Sequence, residues 1–140
     1  MAYDSTIPAL GNLISNDIPA MQENFSLLEN AQVVDEGSTS DGDYIRYENG
    51  WQVCTYIDDE LLITSQTAEV LYRSDTRSFS FPVNFISAPK VATLGARERG
   101  VPWTSTNTEP TTSSTGTFTL FSSRENDEGY LGYIAIGRWK

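Results

Sequence analysis

From Tyr44 onward, apolar and polar residues alternate with a period of two. Tyr44–Glu48 and Trp51–Ile57 form two alternating runs on either side of Asn49-Gly50. Asn-Gly in that setting predicts a β-hairpin whose two turn positions both take positive φ. Ile45 and Tyr47 share one face of the first run, and Trp51, Val53 and Ile57 form another set on the second. Further strands are predicted at Leu61–Thr64, Ala68–Tyr72, Arg77–Val83, Lys90–Ala96, Thr117–Ser122 and Tyr130–Trp139. In the later strands the paired positions are Phe79 with Phe81, Val91 with Thr93, and Phe118 with Leu120. Tyr133 stands opposite Ile134 and Ile136. Short strands at roughly ten-residue spacing, with no helical stretch between them, predict a mainly β fold, an antiparallel β-sandwich spanning 44–140.

The first 43 residues follow a different pattern. Residues 1–15 scatter Ile7, Leu10, Leu13 and Ile14 around Pro8 and Gly11. This reads as an extended arm needing a partner surface, or as a disordered terminus. Residues 16–31 predict one short helix, with Asn16 or Asp17 as cap and Pro19 in the first turn. Ile18, Met21, Phe25 and Leu28 make an a/d stripe. A helix this short is marginal alone, so the stripe packs on its own domain or in a bundle with copies of the chain. Asp35–Asp43 has turn composition and reads as a linker. Its acids lack the alternate-position spacing of a calcium-binding EF-hand loop. Thr104–Ser123 contains 13 Ser or Thr, and Thr104–Gly116 reads as an exposed loop.

Composition narrows the chemistry. The 140 residues include 9 Lys or Arg, 19 Asp or Glu, no His and one Cys, for a net charge of −10. Without histidine there is no Ser-His-Asp triad, Cys-His pair or imidazole metal ligand. A single cysteine makes neither an intrachain disulfide nor a zinc knuckle. The charge is uneven: residues 1–60 hold twelve acids and only Arg46 as a base, whereas residues 61–140 hold seven acids and eight bases. The acidity disfavours general nucleic-acid binding, which needs cations against phosphate. No leader pattern of a basic region before an apolar one occurs, and no apolar run approaches a membrane span. The expectation is a soluble chain with no membrane insertion.

Candidate chemistry is sparse. Asp58-Asp59-Glu60 offers carboxylates of the kind used in glycoside hydrolysis, but adjacent acids in a turn read better as a solvated tip. No phosphate-binding glycine loop occurs. The expectation is a non-enzyme with no catalytic residues, cofactor or metal. Arg97 and Arg99 lie on one side if the strand before them continues. With Trp103 they offer guanidinium donors and an indole face to a sugar. The same arginines also suit acids across a subunit interface. Arg124, Glu125, Asp127 and Glu128 read as a solvated hairpin turn closed by Gly129, Cys54 as a small buried residue, and Trp139 as an anchor for the last strand.

Two stretches resemble a known group. Residues 43–54, Asp-Tyr-Ile-Arg-Tyr-Glu-Asn-Gly-Trp-Gln-Val-Cys, resemble the segment of bacteriophage tail-fibre and fibre-like proteins where a shaft enters the C-terminal knob. Residues 81–139 resemble the H-type lectin-like knob of such fibres and of small trimeric lectins. The likeness rests on Phe81-Pro82-Val83-Asn84-Phe85, Ala88-Pro89-Lys90-Val91, a strand with Gly116, Phe118 and Leu120, and the closing Tyr133-Ile134-Ala135-Ile136-Gly137-Arg138-Trp139. It covers about two-thirds of the chain. The first 31 residues resemble the attachment segment of small virion fibres.

The resemblance implies a six-stranded antiparallel sandwich that forms a homotrimer, with glycan sites in grooves between subunits. Known members contact sugar through a histidine, which this chain lacks, so Arg97, Arg99 and Trp103 become the glycan-binding candidates. The implied protein is a fibre, spike or appendage of a phage virion. Residues 1–43 would supply attachment and trimerisation through Ile18, Met21, Phe25 and Leu28. Its partners would be itself, other virion proteins and a host-surface polysaccharide. Two alternatives stay open: a cement or connector protein that touches only virion proteins, and a free small lectin.

Overall fold

A computed structural model describes residues 32–140; the arm and helix expected within 1–31, with Ile18, Met21, Phe25 and Leu28, lie outside the described residues. Among the described residues eleven strands follow one another: β1 (Val33–Thr39), β2 (Gly42–Tyr47), β3 (Trp51–Ile57), β4 (Leu62–Ile63), β5 (Gln66–Ala68), β6 (Leu71–Arg73), β7 (Arg77–Ser80), β8 (Lys90–Arg99), β9 (Trp103–Thr106), β10 (Ser114–Ser122) and β11 (Glu128–Arg138). All pairings are antiparallel and form two sheets, and the described residues contain no helix. The expected antiparallel sandwich is present, with more strands than the six the resemblance implies.

In the first sheet β11 is central. On one flank β3 pairs Gly132–Arg138 and β4 pairs Glu128–Gly129. On the other flank β8 pairs with Glu128–Ile136. Beyond β3 come β2 and then β1. In the second sheet β10 is central, with β6 and β7 along one flank, β9 along the other, and β5 outside β6. A hydroxyl pair, Thr93 Oγ1 and Thr104 Oγ1 at 2.7 Å, ties β8 to β9 where the two sheets meet.

The core between the sheets is aromatic. Phe118, Leu131, Tyr133, Ala135 and Cys54 are fully buried, with Leu120, Leu62, Phe81 and Phe85 nearly so. The Tyr133 ring packs edge-on to Phe81 at 5.5 Å and tilted on Phe79 at 6.0 Å. Its hydroxyl shares its proton between the carbonyls of Asp41, 3.2 Å away, and Ser80, 3.3 Å away, so burial leaves no orphaned donor. Each buried Phe or Leu side chain of this core contributes roughly 1.5–3 kcal/mol by leaving water.

Four local expectations are corrected. The Asp35–Asp43 stretch is no linker: Val33–Thr39 pairs with β2 from Val33↔Tyr47 to Thr39↔Gly42. Its polar residues suit an edge strand, where backbone hydrogen bonds do the holding. The predicted Ala68–Tyr72 strand is a tight hairpin, because Ala68 pairs with Leu71 around Glu69, whose φ is 55°. The Thr104–Gly116 stretch expected as a loop contains most of β9 and the start of β10. In the Asn49-Gly50 turn only Gly50 has positive φ, 88°, and its N–H donates to the Tyr47 carbonyl at 2.9 Å. That is a type I turn followed by a left-handed glycine, not the expected double-positive turn. Trp139 anchors the end of the chain as expected: its indole N–H donates to the Tyr47 carbonyl at 3.0 Å.

Candidate functional site

The site candidates gather at the corner from β8 to β9. β8 continues through Arg99, but its pairing with β11 shifts from Gly129↔Arg97 to Glu128↔Arg99. Glu98 is therefore an extra residue, a β-bulge that breaks the alternation expected to hold Arg97 and Arg99 together. Gly100 then turns the chain with φ of 84°, and the Asp127 carboxylate occupies the space a Cβ would need. Pro102 leads into β9, which pairs Trp103 with Phe121.

Arg97 and Trp103 line one cleft of about 230 Å³, with Pro102, Thr104 and the nearly buried Leu120 beneath. Trp103 is 45% exposed, and its ring stacks on Phe121 with centroids 6.5 Å apart and planes inclined by 22°. The stack holds the indole so that its free face is presented. The cleft thus combines an aromatic plate, an apolar floor and a guanidinium, the elements that take a ring with one apolar face and polar edges.

Arg99 does not line that cleft. It lines a second one, of about 520 Å³, with Arg97, Glu98, Arg124, Glu125 and Asp127. Arg97 stands between the two. Asp127 is buried here, against the solvated turn expected from sequence. Ser122 Oγ donates to Asp127 Oδ2 at 2.6 Å and the Val101 N–H donates to it at 3.1 Å. These hydrogen bonds, the Ser122 one foremost, hold its carboxyl below the usual carboxylate range.

Two carboxylates of the acidic tip at Asp58-Asp59-Glu60 are engaged within the fold. Asp58 Oδ1 accepts the Glu60 N–H at 3.2 Å, and Glu60 pairs with Arg77. Among the described residues no group of three or more His, Cys, Asp or Glu is placed to hold a metal ion. Sequence reasoning missed Phe121 and Arg124. Phe121 has the opposite parity to Phe118 and Leu120, which marks it as outward-facing, but its register with Trp103 is set by strand pairing across a corner.

No protein-family model matches the sequence, and a search of curated proteins finds no match. Among solved structures, the chain is similar in fold to an N-truncated R1-type pyocin tail fibre. That match has 14% identity and a TM-score of 0.51, over 85% of this chain and 94% of that one. It is also similar in fold to a P. aeruginosa R1 pyocin fibre fragment comprising C-terminal residues 323–701. There the identity is 15% and the TM-score 0.52, over 98% of this chain and 37% of that one.

Proposed function

We propose that the chain is a tail-fibre-type structural component of a phage virion, a homotrimer whose sandwich binds a host-surface glycan. Residues 1–31 attach it to other virion proteins, with Ile18, Met21, Phe25 and Leu28 in attachment and trimerisation. The sandwich acts as the H-type lectin-like knob. What carries the reading is the likeness of fold to two pyocin tail-fibre fragments. The cleft where Arg97 meets Trp103 supports the glycan half of it. Binding at each site is modest and is multiplied by the number of copies. The reading assigns the chain no catalytic step, cofactor or metal, and no contact with nucleic acid or membrane.

A glycan array of bacterial surface polysaccharides, probed with the full chain, tests the binding half. Retention on a polysaccharide, reduced by Trp103→Ala, is the expected result. Silence across the array favours a cement or connector protein that touches only virion proteins. Deleting residues 1–31 tests attachment: a deleted chain that still enters particles overturns the anchoring role.

A further inference from the structure

The outer face of the first sheet carries an aliphatic set of its own, opposite the core face. On β3 the fully buried residues are Gln52 and Cys54, while Trp51, Val53 and Ile57 point away from the core. On β11 Ile134 and Ile136 face outward, while Leu131, Tyr133 and Ala135 face the core. Strand register joins these outward residues into rows. One row runs Glu36, Ile45, Val53, Ile136, Lys90 across all five strand positions of the sheet. The next runs Ser38, Asp43, Thr55, Ile134, Ala92, and a third runs Ile57, Gly132, Leu94. Ile57 is 57% exposed and Ile136 42% exposed. Ile45, Val53, Ile136, Ile134, Ile57 and Leu94 thus share the outer face with Ser38, Asp43 and Thr55, and partly exposed aliphatic side chains grouped this way mark an interaction surface.

The two ends of the rows carry opposite charge. The β1–β2 end has Glu36 and Asp43, and the β8 end has Lys90. Neither Glu36 nor Lys90 has an ion-pair partner among the described residues. Among those residues β1 pairs only with β2 and β8 only with β11, so each leaves one backbone edge open. Glu36 and Lys90 stand four strand spacings apart, about 19 Å, and cannot meet within one chain.

We infer that this face is where copies of the chain join head to tail, the Glu36 edge of one copy meeting the Lys90 edge of the next around a shared aliphatic centre. Two different edges of one chain that complement each other give a heterologous contact, which closes into a ring when the rotation allows. The inference rests on the trimeric reading above for the number of copies. It adds which surface makes the contact.

Light scattering on the full chain after size-exclusion chromatography tests it, with circular dichroism to verify folding. The wild type is expected at a multiple of 15.5 kDa. Ile136→Glu should shift it to the monomer mass. Glu36→Lys and Lys90→Glu should each raise the dissociation concentration tenfold or more, and the double exchange should restore it. As a second readout, Glu36→Cys with Lys90→Cys in one chain should give covalent oligomers with a short bis-maleimide, and either substitution alone should give none. An assembly indifferent to Ile136→Glu and to the charge exchanges, or one cross-linked by a single cysteine variant, overturns the surface and leaves the fibre reading standing. A wild type that is monomeric at every concentration overturns both the surface and the trimer, while glycan retention still reports separately on the lectin role.

Discussion

Ser122 Oγ donates a hydrogen bond of 2.6 Å to the buried carboxylate of Asp127, which also accepts the Val101 N–H across the β8–β9 corner. The pair fixes the tip on which both clefts depend. Its hydrogen bonds hold the folded carboxyl below its usual range, whereas the unfolded group titrates near 3.9, about the ordinary value. The stabilisation is therefore complete above that value and is lost as pH falls through the folded one. Thermal melts at pH 6 and pH 3 should show a smaller drop for Asp127→Asn than for the wild type. Equal drops in the two proteins would locate the acid sensitivity elsewhere.

Arg97 and Trp103 share a cleft that Arg99 does not line. If this cleft binds glycan, Arg97→Ala and Trp103→Ala should each weaken binding about tenfold or more, which corresponds to roughly 1.4 kcal/mol. Arg99→Ala should have less effect. Phe121→Ala should also weaken binding, because it removes the ring on which the indole rests. Titration calorimetry with a polysaccharide retained on the array separates these variants, and an Arg99 effect as large as that of Arg97 would move the site to the second cleft.

The strands with strict alternation were legible because period two and turn residues both mark them. Tyr44–Ile57 and Tyr130–Trp139 are the clearest cases. β1 was hidden because an edge strand held by backbone hydrogen bonds needs few apolar residues, and Asp-Glu-Gly-Ser-Thr has the composition of a turn. The β5–β6 hairpin was hidden because its left-handed residue is Glu69 rather than a glycine. The site was legible as residue types and not as geometry. The bulge at Glu98, which parts Arg99 from Trp103, is a pairing event between distant strands and leaves no local signal. Nor does alternation say which face is inside: on β3 the core took Gln52 and Cys54, and the larger aliphatic set went outward.

Cys54 is fully buried, and that burial pushes its thiol up to about 11. An unfolded cysteine titrates near 8.5, about the ordinary value. Since the thiolate is the reactive form, native Cys54 should resist iodoacetamide at pH 8 and react once urea unfolds the chain. Mass spectrometry of the alkylated fraction reads this directly. The raised value also means that the unfolded chain deprotonates first. Stability should then fall as pH rises from about 8.5 toward 11, and Cys54→Ala should flatten that part of the profile.

Gln52 joins three segments from a fully buried position. Its Nε2 donates to the Val83 carbonyl at 3.1 Å, and its Oε1 accepts from Arg46 Nε at 2.8 Å. The Arg46 guanidinium also lies over the Trp139 ring at 5.1 Å and pairs with Asp35 at 3.4 Å. One buried amide thus links β3, the Pro82–Phe85 segment and the β1–β2 hairpin to the chain end. Gln52→Ala strips a partner from a carbonyl and from a guanidinium, at a cost of about 1–3 kcal/mol. Arg46→Ala removes the charged half of the same network. Because the two residues share a hydrogen bond, the double substitution should cost less than the sum of the singles. Urea denaturation of the four proteins measures the coupling, and simple additivity would mean that Arg46 holds the hairpin through Asp35 and Trp139 alone.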